Sequence, residues 1–292
     1  MLVEERLGIG GLNIALRYMS PPQFQVIPEP WIESFRPQSS INFVVSAYFG
    51  SPWARRPLPP PVFASGGTWS ARKQGPRIHF VLRARQDRQY ARFWVDPVRR
   101  VAGVHLALPN RRGAPPVMAP HPFTFPTLHL LVMAALSSGR GIILHGCGLI
   151  DRGRGLVFTG SSGAGKSTMA RLWEGQGVFL NDERVILTKQ DGHYIVHGTP
   201  WHGEMDRYSS AGGPLSAVFL LKQAEKNEVR SLSEASAVRE ISRHALLPYW
   251  DREDLGASLG FLAGLVAKVP CRELRFRKEP GVVDFVRCAI SP

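Results

Sequence analysis

The sequence predicts a mixed α/β protein: a β-rich N-terminal domain over residues 1–122, then an α/β domain over 123–292 built around a phosphate-binding loop. Three observations carry this reading. The stretch GSSGAGKST, Gly160 to Thr168, lies between an apolar run (Leu156, Val157, Phe158) and a segment of helical spacing (Met169, Ala170, Leu172, Trp173). An acidic pair, Asp182 and Glu183, follows the next apolar run. Upstream, the first hundred or so residues are rich in β-branched and aromatic runs that end at Gly or Pro.

Within that first half, RIHFVLRAR (Arg77 to Arg85) alternates Ile78, Phe80, Leu82 and Ala84 with His79, Arg83 and Arg85, the period of two of a half-buried strand. INFVVSAYFG, QYARFWVDP and VAGVHLALP read as further strands, and together they predict an antiparallel sheet. The prolines of SPWARRPLPPPVFASGG mark a loop, and Pro109 to Pro126 is the best linker candidate. After Pro126 the texture changes. Thr127 to Gly139 predicts a compact apolar helix that Gly139 can cap. GIILHGCGLI, the turn DRGR and GLVFT make a two-strand unit. Strands follow at Val178–Leu180, Arg184–Leu187, Tyr194–Val196 and Leu215–Leu221, then helices from Ser233 and near Leu255–Val269. CRELRFR alternates as a last strand, and a short helix with Pro280 in its first turn closes the chain.

The 292 residues, 44% hydrophobic, are enough for two domains and a sizeable core. No stretch approaches the roughly 20 apolar residues of a membrane span, and MLVEERLGIGG carries glutamates where a signal peptide would carry cations. The expectation is a cytoplasmic protein with no membrane partner. Cys147, Cys271 and Cys288 lack CxxC spacing, so neither a disulfide framework nor a zinc site is indicated. The formal charge of +13 attracts anions without selecting one. Because the arginines are spread in pairs (Arg55–Arg56, Arg99–Arg100, Arg111–Arg112), nucleic acid is disfavoured and a solvated basic surface is the plainer reading. An oligomer is compatible with the composition.

GxxxxGK[ST] is matched by Gly160, Gly165, Lys166 and Ser167. Its glycines let backbone N–H groups turn toward phosphates, Lys166 neutralises their charge and Ser167 can ligate Mg²⁺. Residues Gly160, Ser161, Ser162, Gly163, Ala164, Gly165, Lys166, Ser167 and Thr168 are therefore the expected nucleotide site. Phosphoryl chemistry also needs an acid to hold the metal or take a proton. Asp182 and Glu183 come only 16 and 17 residues after Lys166, much earlier than the metal-binding aspartate of most P-loop NTPases. If DRGR is a tight turn, Ile150 faces Gly155 and His145 lies opposite Gly160, at the mouth of the loop. There a histidine can donate to a phosphate or buffer a proton, or simply be structural.

HGCGLIDRGRGLVFTGSSGAGKST, LNDERVIL and HGTPWHGE, in that order, resemble the catalytic domain of HPr kinase/phosphorylase and its relatives, which share a nucleotide-binding core with ATP-dependent phosphoenolpyruvate carboxykinase. The resemblance covers about residues 127–290. It implies that His145 matches the histidine ahead of the loop, that Lys166 and Ser167 match the phosphate and Mg²⁺ ligands, and that Asp182 matches the catalytic base toward a serine hydroxyl. Glu183 stands where HPr kinase usually has a second aspartate, so it keeps a metal-binding carboxylate on a longer reach. The N-terminal half does not resemble that kinase's regulatory domain, and its glycine-rich loop for docking HPr is not found. In its place stands GTPWHGEMDR (Gly198 to Arg207), a motif common in the related kinases found beside peptide-modification genes. Trp201, His202, Glu204 and Arg207 are the substrate-side candidates.

These readings together describe an ATP- and Mg²⁺-dependent kinase acting on a hydroxyl, most simply serine, of a protein or peptide that is acidic or encoded nearby. The N-terminal sheet would recognise that substrate. A small-molecule kinase, which predicts a closed pocket, and a non-catalytic ATP-binding module, which predicts a lost acid, stand as alternatives.

Overall fold

The computed structural model describes residues 2–19, 24–50, 57–84, 89–107 and 117–290. The pairs Arg55–Arg56 and Arg111–Arg112, Arg85, the start of the 51–67 loop and residues 109–116 of the expected linker lie outside the described residues. The protein is mixed α/β with a large share of strand, and it divides into two compact units. One comprises Met1–Gly8, Leu12–Ser138 and Pro248–Leu255; the other comprises Ile9–Gly11, Gly139–Leu247 and Gly256–Pro292.

The first unit contains β1 (Leu2–Ile9), β2 (Leu12–Met19), β3 (Phe24–Val26), β4 (Phe43–Phe49), β5 (Phe63–Ala64), β6 (Trp69–Gln74), β7 (Arg77–Arg83), β8 (Gln89–Asp96), β9 (Val101–Leu106), β10 (Val117–Ala119) and α1 (Thr127–Leu136). Eight strands form a sheet in the order β1-β2-β4-β9-β8-β7-β6-β5. The expected antiparallel sheet is corrected to a mixed one. The run β5 to β9 is antiparallel, but β2–β4 and β4–β9 pair in parallel. The connection from β2 to β4, with a 3-10 helix at Pro30–Phe35, is long enough for a crossover that a hairpin cannot make. The alternation of β7 also hides more than expected, since Ile78 through Leu82 are all buried. His79 sits between Arg72 and Trp94 on the flanking strands, and Val81 between Ser70 and Arg92. The long stems of those arginines cover what a shorter side chain would leave open. On the other face Phe80 stacks on Phe93 at 4.7 Å and meets the edge of Trp250 at 5.1 Å. Helix α1 is buried at every position, as its lack of a polar face requires, and packs on β8.

The second unit contains β11 (Gly141–Asp151), β12 (Arg154–Thr159), α2 (Lys166–Leu172), β13 (Val178–Asn181), β14 (Arg184–Gln190), β15 (His193–His197), β16 (Gly212–Gln223), β17 (Glu228–Ser231), α3 (Glu234–Ser242), β18 (Ala245–Leu246), β19 (Cys271–Phe276) and α5 (Val282–Ala289), with α4 (Arg252–Val266) shared between units. The β11–β12 hairpin turns on Arg152 and Gly153, both at positive φ (50° and 77°), the type I′ geometry that matches strand twist. Its register pairs Ile150 with Gly155 and Gly146 with Thr159. Strand pairing runs β12-β11-β14-β15-β16, and a parallel pairing of β16 with β12 closes the circuit. Two apolar clusters flank these strands. One gathers Leu144, Val157 and Val218 with Ile241 of α3 and Leu262 of α4; the other gathers Phe158 and Phe219 with Met169 of α2 and Val286 of α5. Ser233 caps α3 by accepting the Ser236 N–H at 3.3 Å. Pro280 precedes the N-cap Gly281 of α5 rather than standing in its first turn. Among the described residues, no helix is long and apolar enough to cross a membrane.

Candidate functional site

Strand β12 ends at Thr159, and the glycine-rich loop carries the chain from there into α2. Thr159 Oγ1 donates to the His145 carbonyl at 2.7 Å, tying the loop's start to β11. Gly165, the N-cap of α2, sits at φ 106°, and a Cβ there would lie 2.6 Å from the Phe276 ring. The position therefore excludes side chains on two grounds, conformation and space. No side chain caps α2. Lys166 is 8% exposed and its ammonium donates to the carbonyls of Gly160 (2.9 Å) and Ser161 (3.1 Å). Burial holds its pKa below the usual lysine value, against the pull of Glu183.

Asp182 and Glu183 form a bend between β13 and β14, both of which pair with β11. Asn181 shapes it: its Oδ1 accepts the N–H of Glu183 (2.7 Å) and of Arg184 (2.8 Å), while Nδ2 donates to the Thr199 carbonyl at 2.8 Å. Thr199 in turn donates to the Arg184 carbonyl at 2.6 Å, so the Gly198–Trp201 segment is locked to the acidic bend. Asp182, 2% exposed, accepts the N–H of Gly203 at Oδ1 (2.8 Å) and of Met205 at Oδ2 (3.0 Å). Glu183 Oε1 lies 3.4 Å from His145 Nδ1 and 3.4 Å from an Arg184 guanidinium nitrogen. Burial first, then the nearby Lys166 charge, lowers the His145 pKa, with Glu183 opposing. The balance favours the uncharged imidazole.

These groups border one cavity of about 650 Å³, lined by His145, Lys166, Ser167, Asp182, Glu183 and Glu204 among others. Ser162, Gly163, Gly165 and Thr168 also reach it. Gly160, Ser161 and Ala164 lie behind this lining, with Gly160 and Ser161 giving their carbonyls to Lys166. The candidates of the 198–207 segment separate. Glu204 lines the cavity and pairs with Arg171 at 3.2 Å. Trp201 is buried and Arg207 pairs with Glu174 at 2.5 Å beside a second, small cavity.

Several contributors escape sequence reading. Gln223 and Lys278 line the cavity from the far end of β16 and the segment after β19. His244 accepts the His145 N–H through its carbonyl at 2.8 Å, and its imidazole pKa is lowered by burial and by the charges of Lys166 and His145. No local pattern marks these residues. Asn181 was legible in principle, since an Asn directly before an acidic pair suits a side-chain turn. Among the described residues, no group of three or more His, Cys, Asp or Glu converges as a metal cluster.

A family described as SynChlorMet cassette protein ScmC matches residues 125–258, less than half of the chain. No curated protein matches the sequence. Among solved structures, the chain is similar to the Hpr(Ser) kinase/phosphatase from Coxiella burnetii at 9% identity and a TM-score of 0.30. That match covers 50% of this chain and 89% of that one.

Proposed function

We propose that this chain is a P-loop kinase that transfers the γ-phosphate of Mg-ATP to a hydroxyl, most simply serine, of a protein or peptide. The observation that supports it best is one cavity shared by Lys166, Ser167, Asp182 and Glu183. The loop amides and Lys166 would hold the phosphates, with Lys166 leaving the carbonyls of Gly160 and Ser161 that it now contacts. Ser167 and Glu183 suit Mg²⁺, a hard cation commonly held by one or two side chains plus substrate phosphates. The metal would supply neutralisation of charge on the transferring group.

Asp182 is the base in this reading. Each of its oxygens accepts one backbone N–H and retains a second lone pair, so it can both anchor the 203–205 segment and take a hydroxyl proton. His145, on the cavity wall, is suited to donate toward a phosphate oxygen. Glu204 and Arg171 on the cavity wall are 66% and 64% exposed, which favours an acceptor presented by a polypeptide over an enclosed small molecule. A substrate encoded in the same gene cassette agrees with the description of the matching family.

Lys166→Ala removes the only side-chain cation of the loop. It is expected to lower Mg-ATP affinity by about tenfold or more in calorimetry, on the scale of a lost charge-assisted hydrogen bond. Transfer of radiolabel from ATP to serine in peptides encoded near the gene should be abolished with it. Unchanged ATP affinity in Lys166→Ala would remove the basis of the proposal.

A further inference from the structure

On one face of the first unit's sheet, strand pairing gathers cations around a buried imidazole. Arg72 on β6 lies opposite His79 on β7, and His79 lies opposite Trp94 on β8, two residues from Arg92. Alternate residues share a face, so these four stand on the side away from the Phe80–Phe93 stack. His79 is 8% exposed, yet neither of its ring nitrogens has a hydrogen-bond partner. A buried donor and acceptor left unmet in this way is costly. The Trp94 indole lies across Gly103, where a Cβ would come 2.5 Å from its Nε1, and the Arg77 guanidinium sits 4.3 Å above the ring.

The charges here repel one another. Burial and Arg83 lower the pKa of Arg72, and burial and Arg72 lower that of Arg92. His79 is driven down to about 4 by burial and by Arg92, Arg77 and Arg72. Among the described residues, no carboxylate offsets the shifts of Arg72 or His79. Asp96, 3.9 Å from Arg77, lies at the margin of the group.

We propose that this face is a docking site for an acidic segment of polypeptide, whose carboxylates are taken by the forks of Arg72 and Arg92. Arginine forks match carboxylates in bidentate geometry. Single-stranded nucleic acid needs aromatic faces for base stacking, and the one exposed aromatic this face offers among the described residues is Tyr48, 51% exposed and already stacked on His105 at 4.9 Å, against several arginine forks that suit carboxylates. Trp94 has one face on Gly103 and the other under Arg77. That the segment belongs to the phosphoryl acceptor rests on the proposed kinase activity. Binding by the face does not, since its residues belong to the first unit and the glycine-rich loop to the second.

The test is fluorescence anisotropy of the full chain with a labelled peptide of alternating Asp and Glu, and with a labelled oligothymidylate of equal length. The peptide should bind more tightly than the oligothymidylate. Arg72→Gln and Arg92→Gln should each weaken peptide binding by about tenfold, and Arg92→Lys, which keeps stem and charge, by severalfold. Melting curves and ATP calorimetry on the same variants verify that both units are folded. Lys166→Ala should bind the peptide like the wild type even if it has lost ATP, so a failed kinase reading leaves this result standing. Equal or tighter binding of oligothymidylate, no peptide binding by the wild type, or undiminished binding by the folded Arg92→Lys and Arg→Gln variants would each overturn the docking site.

Discussion

Asp182 holds the backbone of Gly203: its Oδ1 accepts that N–H at 2.8 Å, while Oδ2 accepts the neighbouring Met205 N–H at 3.0 Å. A residue expected from sequence to do chemistry is therefore also the anchor of the segment that walls the cavity. In Asp182→Asn one oxygen becomes an NH₂ group facing an N–H, leaving a buried donor unmet at a cost of about 1–3 kcal/mol. The variant should melt lower, and hydrogen exchange should quicken at residues 203 and 205. If Asp182 is the base, transfer should fall by roughly 10²- to 10⁴-fold while ATP affinity stays within a few-fold. Transfer at the wild-type rate in Asp182→Asn, with Glu183→Gln inactive, would move the chemistry one residue along.

Two glycines separate conformational need from mere presence. Gly165→Ala meets both a φ of 106° and the Phe276 ring, so it should lose stability by about 2 kcal/mol or more and lose ATP binding with it. Gly260 is exposed within α4, and the space its added methyl would enter is open to 4 Å. Gly260→Ala should raise stability by about 0.5–1 kcal/mol. Urea titration of both variants checks the pair, and a stabilised Gly165→Ala would contradict the packing described here.

Asp151, fully buried at the β11–β12 turn, is met by the Arg287 guanidinium at 2.9 and 3.1 Å, and that cation also lies 5.2 Å over the Trp173 ring. Arg287→Ala leaves the carboxylate alone in the interior and should cost about 3–5 kcal/mol. The double variant Asp151→Asn/Arg287→Met should recover part of that loss in denaturant unfolding. Equal instability of the single and double variants would show that packing, not the stranded charge, dominates.

Acid should destabilise the fold before most carboxylates titrate. Burial lowers the imidazole of His197 to about 4, and burial with three arginines lowers His79 to about 4. In the unfolded chain these groups take up protons near the ordinary value of about 6.5, so the unfolded state binds more protons below it. Stability is then complete above pH of about 6.5 and falls as pH drops from there toward 4. The urea midpoint should decline across that window. His197→Gln, which can keep a hydrogen bond to Thr188 Oγ1, should reduce the slope; an unchanged slope would assign the acid sensitivity elsewhere.

The sequence by itself determined the local pieces of this protein. The β11–β12 register followed from reading DRGR as a turn between two apolar strands, and it placed His145 beside the start of the glycine-rich loop. The order of strand, glycine loop, helix and acidic pair was equally readable, because periodicity and turn chemistry act within a few residues of one another. Only the tertiary structure decided what required distant segments to meet. The parallel pairings β2–β4–β9 and β12–β16 join strands far apart in the chain, and no local pattern encodes such partners. The same holds at the cavity. Asn181 and Thr199 clamp two segments together, His244 comes against His145, and of Trp201, Glu204 and Arg207 only Glu204 joins the cavity wall. Hydrogen bonds and burial between segments select these positions, and both depend on packing that exists only once the strands have closed their circuit.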